Sequence, residues 1–324
     1  MKPKVFLTRK LPPKAMEYLE ENTDLEMNTE DRVLTKEELI RGVKGKQGLL
    51  CLLTDNIDAE IMEANPDLKV IANFAVGFNN INVDEATKRK IPVTNTPGVL
   101  TETTADMAFA LLFAVSRRVV EGDSFVRSKT WSGWGPLQML GEDITGATLG
   151  LIGLGRIGKA MIKRAQGFDM KIIYWNRTRL DEKEERELGV EYASFEDVLS
   201  SADFISLHVA YNQATHHLIS EKEFGLMKSN AYMINTTRGP VIDEKALVKA
   251  LQSRIIGGAG LDVYENEPHL EPELYELENA VLAPHLGSAT IGTRTKMGMM
   301  AAENLVAALK GDIPPNIVNK VIYE

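Results

Sequence analysis

Three short segments in the last third of this 324-residue chain each place a side chain capable of chemistry just past an apolar run. Met233-Ile-Asn-Thr-Thr-Arg-Gly-Pro240 carries Arg238, and Leu261-Asp-Val-Tyr-Glu-Asn-Glu-Pro268 carries Asp262 and Glu267. Leu282-Ala-Pro-His-Leu-Gly-Ser288 carries His285. Histidine is the side chain whose unperturbed titration suits proton exchange near neutrality. Arginine offers a planar fork matched to a carboxylate. A carboxylate beside an imidazole favours the imidazolium and fixes its tautomer. Each apolar run reads as a strand. In open α/β sheets ligands sit outside the carboxyl ends of the strands, so the three segments should converge on one crevice. Any one of them alone would be unremarkable.

A second signal lies upstream. Residues 149–158 read Leu-Gly-Leu-Ile-Gly-Leu-Gly-Arg-Ile-Gly, an apolar strand entering a Gly-x-Gly-x-x-Gly turn at Gly153, Gly155 and Gly158. This spacing lets the backbone turn tightly, approach a pyrophosphate, and pack the next helix on its strand. A helical stretch from Arg156 to Phe168 follows, and the strand Lys171-Ile-Ile-Tyr-Trp175 closes a βαβ unit. An ordinary glycine-rich turn is the plain alternative. Where NAD-binding units place an acid for the ribose 2′-OH, this chain has Asn176-Arg177-Thr178-Arg179. Asp or Glu would repel a 2′-phosphate, whereas Arg can grip one and Asn or Thr can donate to it. The expectation is NADP(H) as preferred cofactor, with NAD(H) possible. Solvated loop charges at Arg177 and Arg179, or Asp181 or Glu182 reaching back, are the alternatives.

The elements that must hold these residues alternate. Strands are expected at Val5–Leu7, Gly48–Leu53, Val70–Phe74 and Ile91–Asn95, with helices at Pro13–Asn22, Ala59–Ala64 and Val83–Arg89. Thr101 opens a long helix, apolar on nearly every side through Val115, which reads as buried at a domain junction. Later strands fall at Phe204–His208, Ala231–Asn235, Gly258–Asp262 and Ala280–Ala283. The tail Met297–Leu309 is a helix with no strand partner, so it should return to the first unit. The fold class is therefore α/β, with two Rossmann-like, doubly wound parallel-sheet domains separated by an active-site cleft. The expected division is 1–98 plus 288–324 for the substrate-binding domain and 99–287 for the dinucleotide-binding domain.

Bulk properties narrow the function classes. A net charge of −9 argues against a nucleic-acid surface, which needs clustered positive charge. The single cysteine, Cys51, can form no intramolecular disulfide and reads as a small buried hydrophobe. The N-terminus lacks the apolar run of a signal peptide, and Met107–Val115 is too short to span a bilayer. The cytoplasm is the default location, with no membrane association. His216-His217 has no third ligand at useful spacing, so no metal is expected, and a surface at a helix start is the better reading. His208 lines the cofactor site or is structural, and His269 reads as solvated.

With these motifs in hand, the chain resembles the D-isomer-specific 2-hydroxyacid dehydrogenases, most closely their glyoxylate/hydroxypyruvate reductase branch. The resemblance runs from Val76-Gly77-Phe-Asn-Asn-Ile81 to Pro284-His285, and its specificity lies in the ordered combination. It implies Arg238, Glu267 and His285 as the catalytic set. His285 would protonate the carbonyl oxygen of a 2-oxo acid as hydride arrives, and Arg238 would anchor the carboxylate. It also implies that amides near Val76 and Gly77 bind the substrate carboxylate while Leu53 lines the same pocket. Cofactor contacts would come from Thr104, from Gly153, Gly155, Arg156, Ile157 and Gly158 on the turn, and from Asn176, Arg177 and Thr178. Thr236, Thr237, Asp262 and Gly287 would complete them, with Asp262 accepting from the carboxamide or else serving as a turn cap. A homodimer is implied, in which Trp134 either reaches the neighbour's substrate site or packs in the contact. Related rivals are 2-ketogluconate, D-lactate and 3-phosphoglycerate dehydrogenases. A rival of another class is a non-enzymatic, nucleotide-sensing scaffold like the corepressors that share this fold.

Overall fold

The computed structural model describes residues 1–324. The chain forms two compact units, Met1–Leu100 with Ala289–Glu324, and Thr101–Ser288. No helix is long and apolar enough to cross a membrane.

The first unit is built on five parallel strands: β1 (Lys4–Leu7), β2 (Asp24–Met27), β3 (Gly48–Cys51), β4 (Val70–Asn73) and β5 (Val93–Thr94). Their order is β2-β1-β3-β4-β5. β3 and β4 are buried at every position. That explains their unbroken apolar runs, because parallel strands are covered on both faces. The edge strand β2 is absent from the sequence reading. Its Asp-Leu-Glu-Met run is short and acidic, and only Leu25 and Met27 turn inward against the core. The tail helix spans Ile291–Lys310 and packs on the Pro13–Asn22 helix and on β4. It begins six residues before the expected Met297, because Thr290 caps it by accepting from the Thr293 amide at 3.2 Å. Its first turn is solvated, with Ile291 91% exposed, so apolar periodicity does not mark it. Burying Met297, Leu305 and Val306 stabilises this unit by about 1.5–3 kcal/mol per side chain.

The second unit carries seven parallel strands: β6 (Thr148–Ile152), β7 (Lys171–Trp175), β8 (Glu191–Tyr192), β9 (Phe204–Leu207), β10 (Tyr232–Asn235), β11 (Gly258–Leu261) and β12 (Ala280–Leu282). Their order is β12-β11-β10-β9-β6-β7-β8. The chain runs outward from β6 to one edge, then returns to β9 and builds the other half. The strand order therefore reverses between β6 and β9, the place where such sheets bind ligands. The Thr101–Ser116 helix lies against β10, β11 and β12 and against the Arg156–Gln166 helix. It approaches β11 closely because Gly258 and Gly260 carry no side chain. A Cβ at Gly260 would meet Leu111 Cβ at 2.9 Å. The helix is not buried all round, since Asp106 and Ala110 face solvent. Arg164 from the neighbouring helix meets Asp106 at 2.5 Å and Glu102 at 3.0 Å.

Candidate active site

The residues singled out in the second unit follow the carboxyl ends of its strands. Gly153 comes after β6, Asn176 after β7, His208 after β9, Thr236–Arg238 after β10, Asp262 after β11 and His285 after β12.

His285 is held in a left-handed backbone conformation, φ 56°. Such a φ costs a non-glycine residue about 1–3 kcal/mol, so the surroundings must impose it. Asp262 does so. Its carbonyl accepts the His285 amide at 3.0 Å, while its two carboxylate oxygens accept the amides of Leu286 at 2.6 Å and Gly287 at 2.7 Å. Three successive N–H groups thus converge on one aspartate. Burial pushes the Asp262 carboxyl above its ordinary range, against the lowering effect of these two amides. The turn-cap alternative for Asp262 is the geometry seen. Each carboxylate oxygen keeps a lone pair for a further donor.

His285 Nδ1 lies 2.9 Å from Glu267 Oε2, and the other Glu267 oxygen accepts the Tyr264 amide at 3.0 Å. Burial raises the Glu267 carboxyl, but the hydrogen bond and charge of His285, the Tyr264 amide and the Arg238 charge outweigh it. They hold Glu267 below its ordinary value. With Nδ1 engaged, Nε2 is the imidazole nitrogen left for a ligand. The Tyr264 hydroxyl donates to the Ala283 carbonyl at 2.9 Å, which ties the strand end before His285 to the loop before Glu267.

Arg238 is half-buried, and one terminal nitrogen donates to the Thr237 carbonyl at 2.7 Å. Desolvation lowers its guanidinium while Glu267 opposes that shift, so the two charges sense each other. Its turn is wound by Asn235, to which the sequence assigned no role beyond ending a strand. The buried Asn235 amide accepts from the Thr237 amide at 3.0 Å and hydroxyl at 2.7 Å, and donates to the Arg238 carbonyl at 3.1 Å. At Gly239 the backbone runs so close to the Tyr264 carbonyl that no side chain fits.

The glycine turn fits a dinucleotide. Gly153 has φ +95°, and a Cβ there would lie 2.9 Å from the His208 carbonyl. At Gly158 a Cβ would strike the Gly153 carbonyl. By contrast a Cβ at Gly155 would meet nothing within 4 Å, so the turn is open on that side. Gly155 also caps the Arg156–Gln166 helix without a side-chain bond, which leaves its first amides for an anion. Two buried polar atoms lack partners at these strand ends, Thr236 Oγ1 and His208 Nδ1. Burial pushes the His208 imidazole down to about 3. Its Nε2 meets Ser206 Oγ at 2.9 Å. Thr104 lies beside Gly287, with its Oγ1 3.5 Å from where a Cβ would stand.

Around the β7 tip the polar residues divide. Asn176 Oδ1 accepts the Leu154 amide at 3.4 Å and its Nδ2 donates to the Thr178 carbonyl at 2.9 Å, so this side chain braces the turn. Arg179 is committed to the buried Glu185 through two bonds of 2.8 Å and lies over the Tyr192 ring. Arg177, Thr178 and Arg156 are exposed, and neither Arg177 nor Arg156 has an ion-pair partner. Ile157 is half-buried at the helix start.

In the first unit Leu53, Val76 and Gly77 follow the carboxyl ends of β3 and β4. Asn73, Asn80 and Asn95 hold these loops. Asn73 Nδ2 donates to the Gly77 carbonyl at 2.9 Å, Asn95 Nδ2 to the Val76 carbonyl at 2.7 Å, and Asn80 Nδ2 to the Leu52 carbonyl at 3.0 Å. Trp134 is 84% exposed, in the long loop before β6. His217 does not stand at a helix start; its Nε2 meets Glu265 Oε1 at 2.7 Å. No group of three or more His, Cys, Asp or Glu side chains could hold a metal ion.

Comparison with known proteins gives concordant matches. Residues 109–287 match the model of the D-isomer specific 2-hydroxyacid dehydrogenase NAD binding domain. The chain is 53% identical to a glyoxylate reductase of Thermococcus litoralis, covering 99% of this chain and 98% of that one. A solved structure from Thermus thermophilus superposes with a TM-score of 0.91 at 45% identity, covering 97% and 99% of the two chains. An NADPH-dependent glyoxylate/hydroxypyruvate reductase from Sinorhizobium meliloti, solved with NADP and malonate, gives a TM-score of 0.86 at 32% identity. That match covers 98% of this chain and 97% of the other.

Proposed function

The chain belongs to the D-isomer-specific 2-hydroxyacid dehydrogenase family and is an oxidoreductase; from that premise we propose that it reduces glyoxylate or hydroxypyruvate to the D-2-hydroxy acid, with NADP(H) preferred. The observation that carries this reading is the His285–Glu267 pair at 2.9 Å, with the Arg238 charge sensed by Glu267. A bound nicotinamide would supply the hydride to C2 of the substrate. His285 Nε2 would deliver a proton to the carbonyl oxygen, while Glu267 holds the ring at Nδ1. Arg238 would grip the substrate carboxylate and polarise the ketone.

The second unit is read as the cofactor domain. Gly153, Gly155, Arg156, Ile157 and Gly158 would hold the pyrophosphate, with Thr104 on the phosphate side, and Thr236, Thr237, Asp262 and Gly287 would flank the nicotinamide. Arg177 and Thr178, exposed beside Asn176, would take a 2′-phosphate, and the absence of a carboxylate at this tip supports NADP(H) over NAD(H). The first unit is read as the substrate domain, contributing Leu53, Val76 and Gly77. A homodimer is proposed through the surface that exposes Val119, Val120, Val126 and Trp134.

Steady-state rates with NADPH and NADH across glyoxylate, hydroxypyruvate, pyruvate and 2-ketogluconate test this reading. The highest kcat/KM is expected with NADPH and either of the first two acids. A preference for pyruvate or 2-ketogluconate would reassign the substrate, and negligible turnover with all four despite NADPH binding would make the chain a nucleotide-sensing scaffold.

A further inference from the structure

We propose that Glu244 is a positioning residue for Glu267, a role that rests on the reductase reading above. Glu267 lies in a loop whose residues Asn266, Pro268 and His269 are exposed, so packing alone does not hold it. The loop is instead clamped at both ends by one buried carboxylate. Glu244, 5% exposed at the start of the Glu244–Gln252 helix, accepts the Glu265 amide at 2.8 Å on Oε2 and the Glu271 amide at 2.6 Å on Oε1. These two anchor points bracket Glu267. An acid in a helix's first turn ordinarily sits at the surface and serves the helix dipole. This one is buried and spends both oxygens on another segment.

The clamp extends to Arg238. Glu265 returns the contact, its Oε2 accepting the Glu244 amide at 3.3 Å, while its Oε1 meets His217 Nε2. The His217 amide in turn donates to the Pro240 carbonyl at 2.8 Å, two residues past Arg238. With Gly239 seated against the Tyr264 carbonyl, the Arg238 turn and the Glu267 loop are joined. Bonds that accept into a charged oxygen are the strong kind, and a buried carboxylate deprived of them is costly. Glu244 therefore sets the distance between Glu267 and His285 without touching either.

The test is a double-mutant cycle of Glu244→Ala with Glu267→Gln, measuring kcat and KM for glyoxylate, and the NADPH dissociation constant by fluorescence. Glu244→Ala should lower kcat by about tenfold or more, because small misplacements of reacting groups are expensive, and leave NADPH binding within about twofold. In the Glu267→Gln background the same change should cost less than about twofold, since the group it positions is already disabled. An equal loss of kcat in both backgrounds overturns the proposal. Should Glu244→Ala fail to fold, Glu244→Gln keeps the volume and one acceptor, and its smaller loss should likewise vanish in the Glu267→Gln background. Hydrogen exchange supplies a readout independent of turnover. The Glu265 and Glu271 amides should exchange faster in Glu244→Gln while β10 keeps its protection. Unchanged protection at both overturns the clamp even if the wild-type chain proves inert toward 2-oxo acids, an outcome that would separately end the reductase reading.

Discussion

His285 Nδ1 and Glu267 Oε2 lie 2.9 Å apart, although 18 residues separate them in the chain. The contact engages one ring nitrogen of the imidazole and leaves Nε2 for a ligand. His285→Gln should lower kcat for glyoxylate reduction by about 10²–10⁴-fold, the usual contribution of a positioned general acid, with the NADPH dissociation constant nearly unchanged. Near-normal turnover in that variant would remove the acid–base assignment.

Arg238→Lys keeps the charge but loses the fork. Because a lysine cannot make two parallel bonds to a carboxylate, kcat/KM for glyoxylate should fall by about 100-fold, with a marked rise in KM. A KM equal to that of the wild type would show that the substrate carboxylate is held elsewhere.

Arg177 should decide between the two nicotinamide cofactors. Arg179 is already spent on Glu185, whereas Arg177 is exposed and unpaired. Arg177→Glu should therefore reduce kcat/KM for NADPH by about 10–100-fold, the worth of a charge-assisted contact to phosphate, and leave NADH little affected. An unaltered NADPH-to-NADH ratio would make Arg177 a solvated loop charge.

Glu185 gives stability a pH signature. Its carboxyl is held down at about 2, first by Arg179 and then by the Tyr174 hydroxyl, against an ordinary value of 4.5. A depressed acid stabilises the folded state above its unfolded value, so this contribution is full above about pH 4.5 and drains away as pH falls toward 2. Thermal denaturation of the wild type and Glu185→Gln should differ clearly at pH 7, and the two melting temperatures should converge by about pH 2. A gap that stays constant with pH would mean that the carboxylate's charge is immaterial.

Gly239→Ala tests the seat beneath Arg238. A methyl group there collides with the Tyr264 carbonyl, which is backbone and cannot swing aside. The expected result is a lowered melting temperature with kcat reduced in the folded fraction, and a variant matching the wild type in both would contradict the packing described.

Much of this molecule was legible in the order of its residues. The continuous apolar runs of β3, β4 and β9 announce parallel strands covered on both faces, and alternation with helices announces the two α/β units. The glycine turn is legible because its constraint is local: Gly153 needs a positive φ and Gly158 a bare Cα, whatever the rest of the chain does. Residue type likewise marks Arg238, Glu267 and His285 as able to do chemistry. β2 escaped because its four residues are acidic and only half-buried, without the apolar run that marks the equally short β3 and β4, and the start of the tail helix escaped because no buried face imprints a pattern there.

What only the tertiary structure decided is which polar groups meet. Asp262 winding the His285 turn, Asn235 winding the Arg238 turn and Glu244 bracketing Glu267 are contacts between a side chain and distant or irregular backbone. Such contacts have no period and no required spacing, because loop conformation rather than sequence separation sets the distance. The two arginines past β7 make the same point. In the sequence they stand as equals two residues apart, and only the buried carboxylate of Glu185 engages one and leaves the other free.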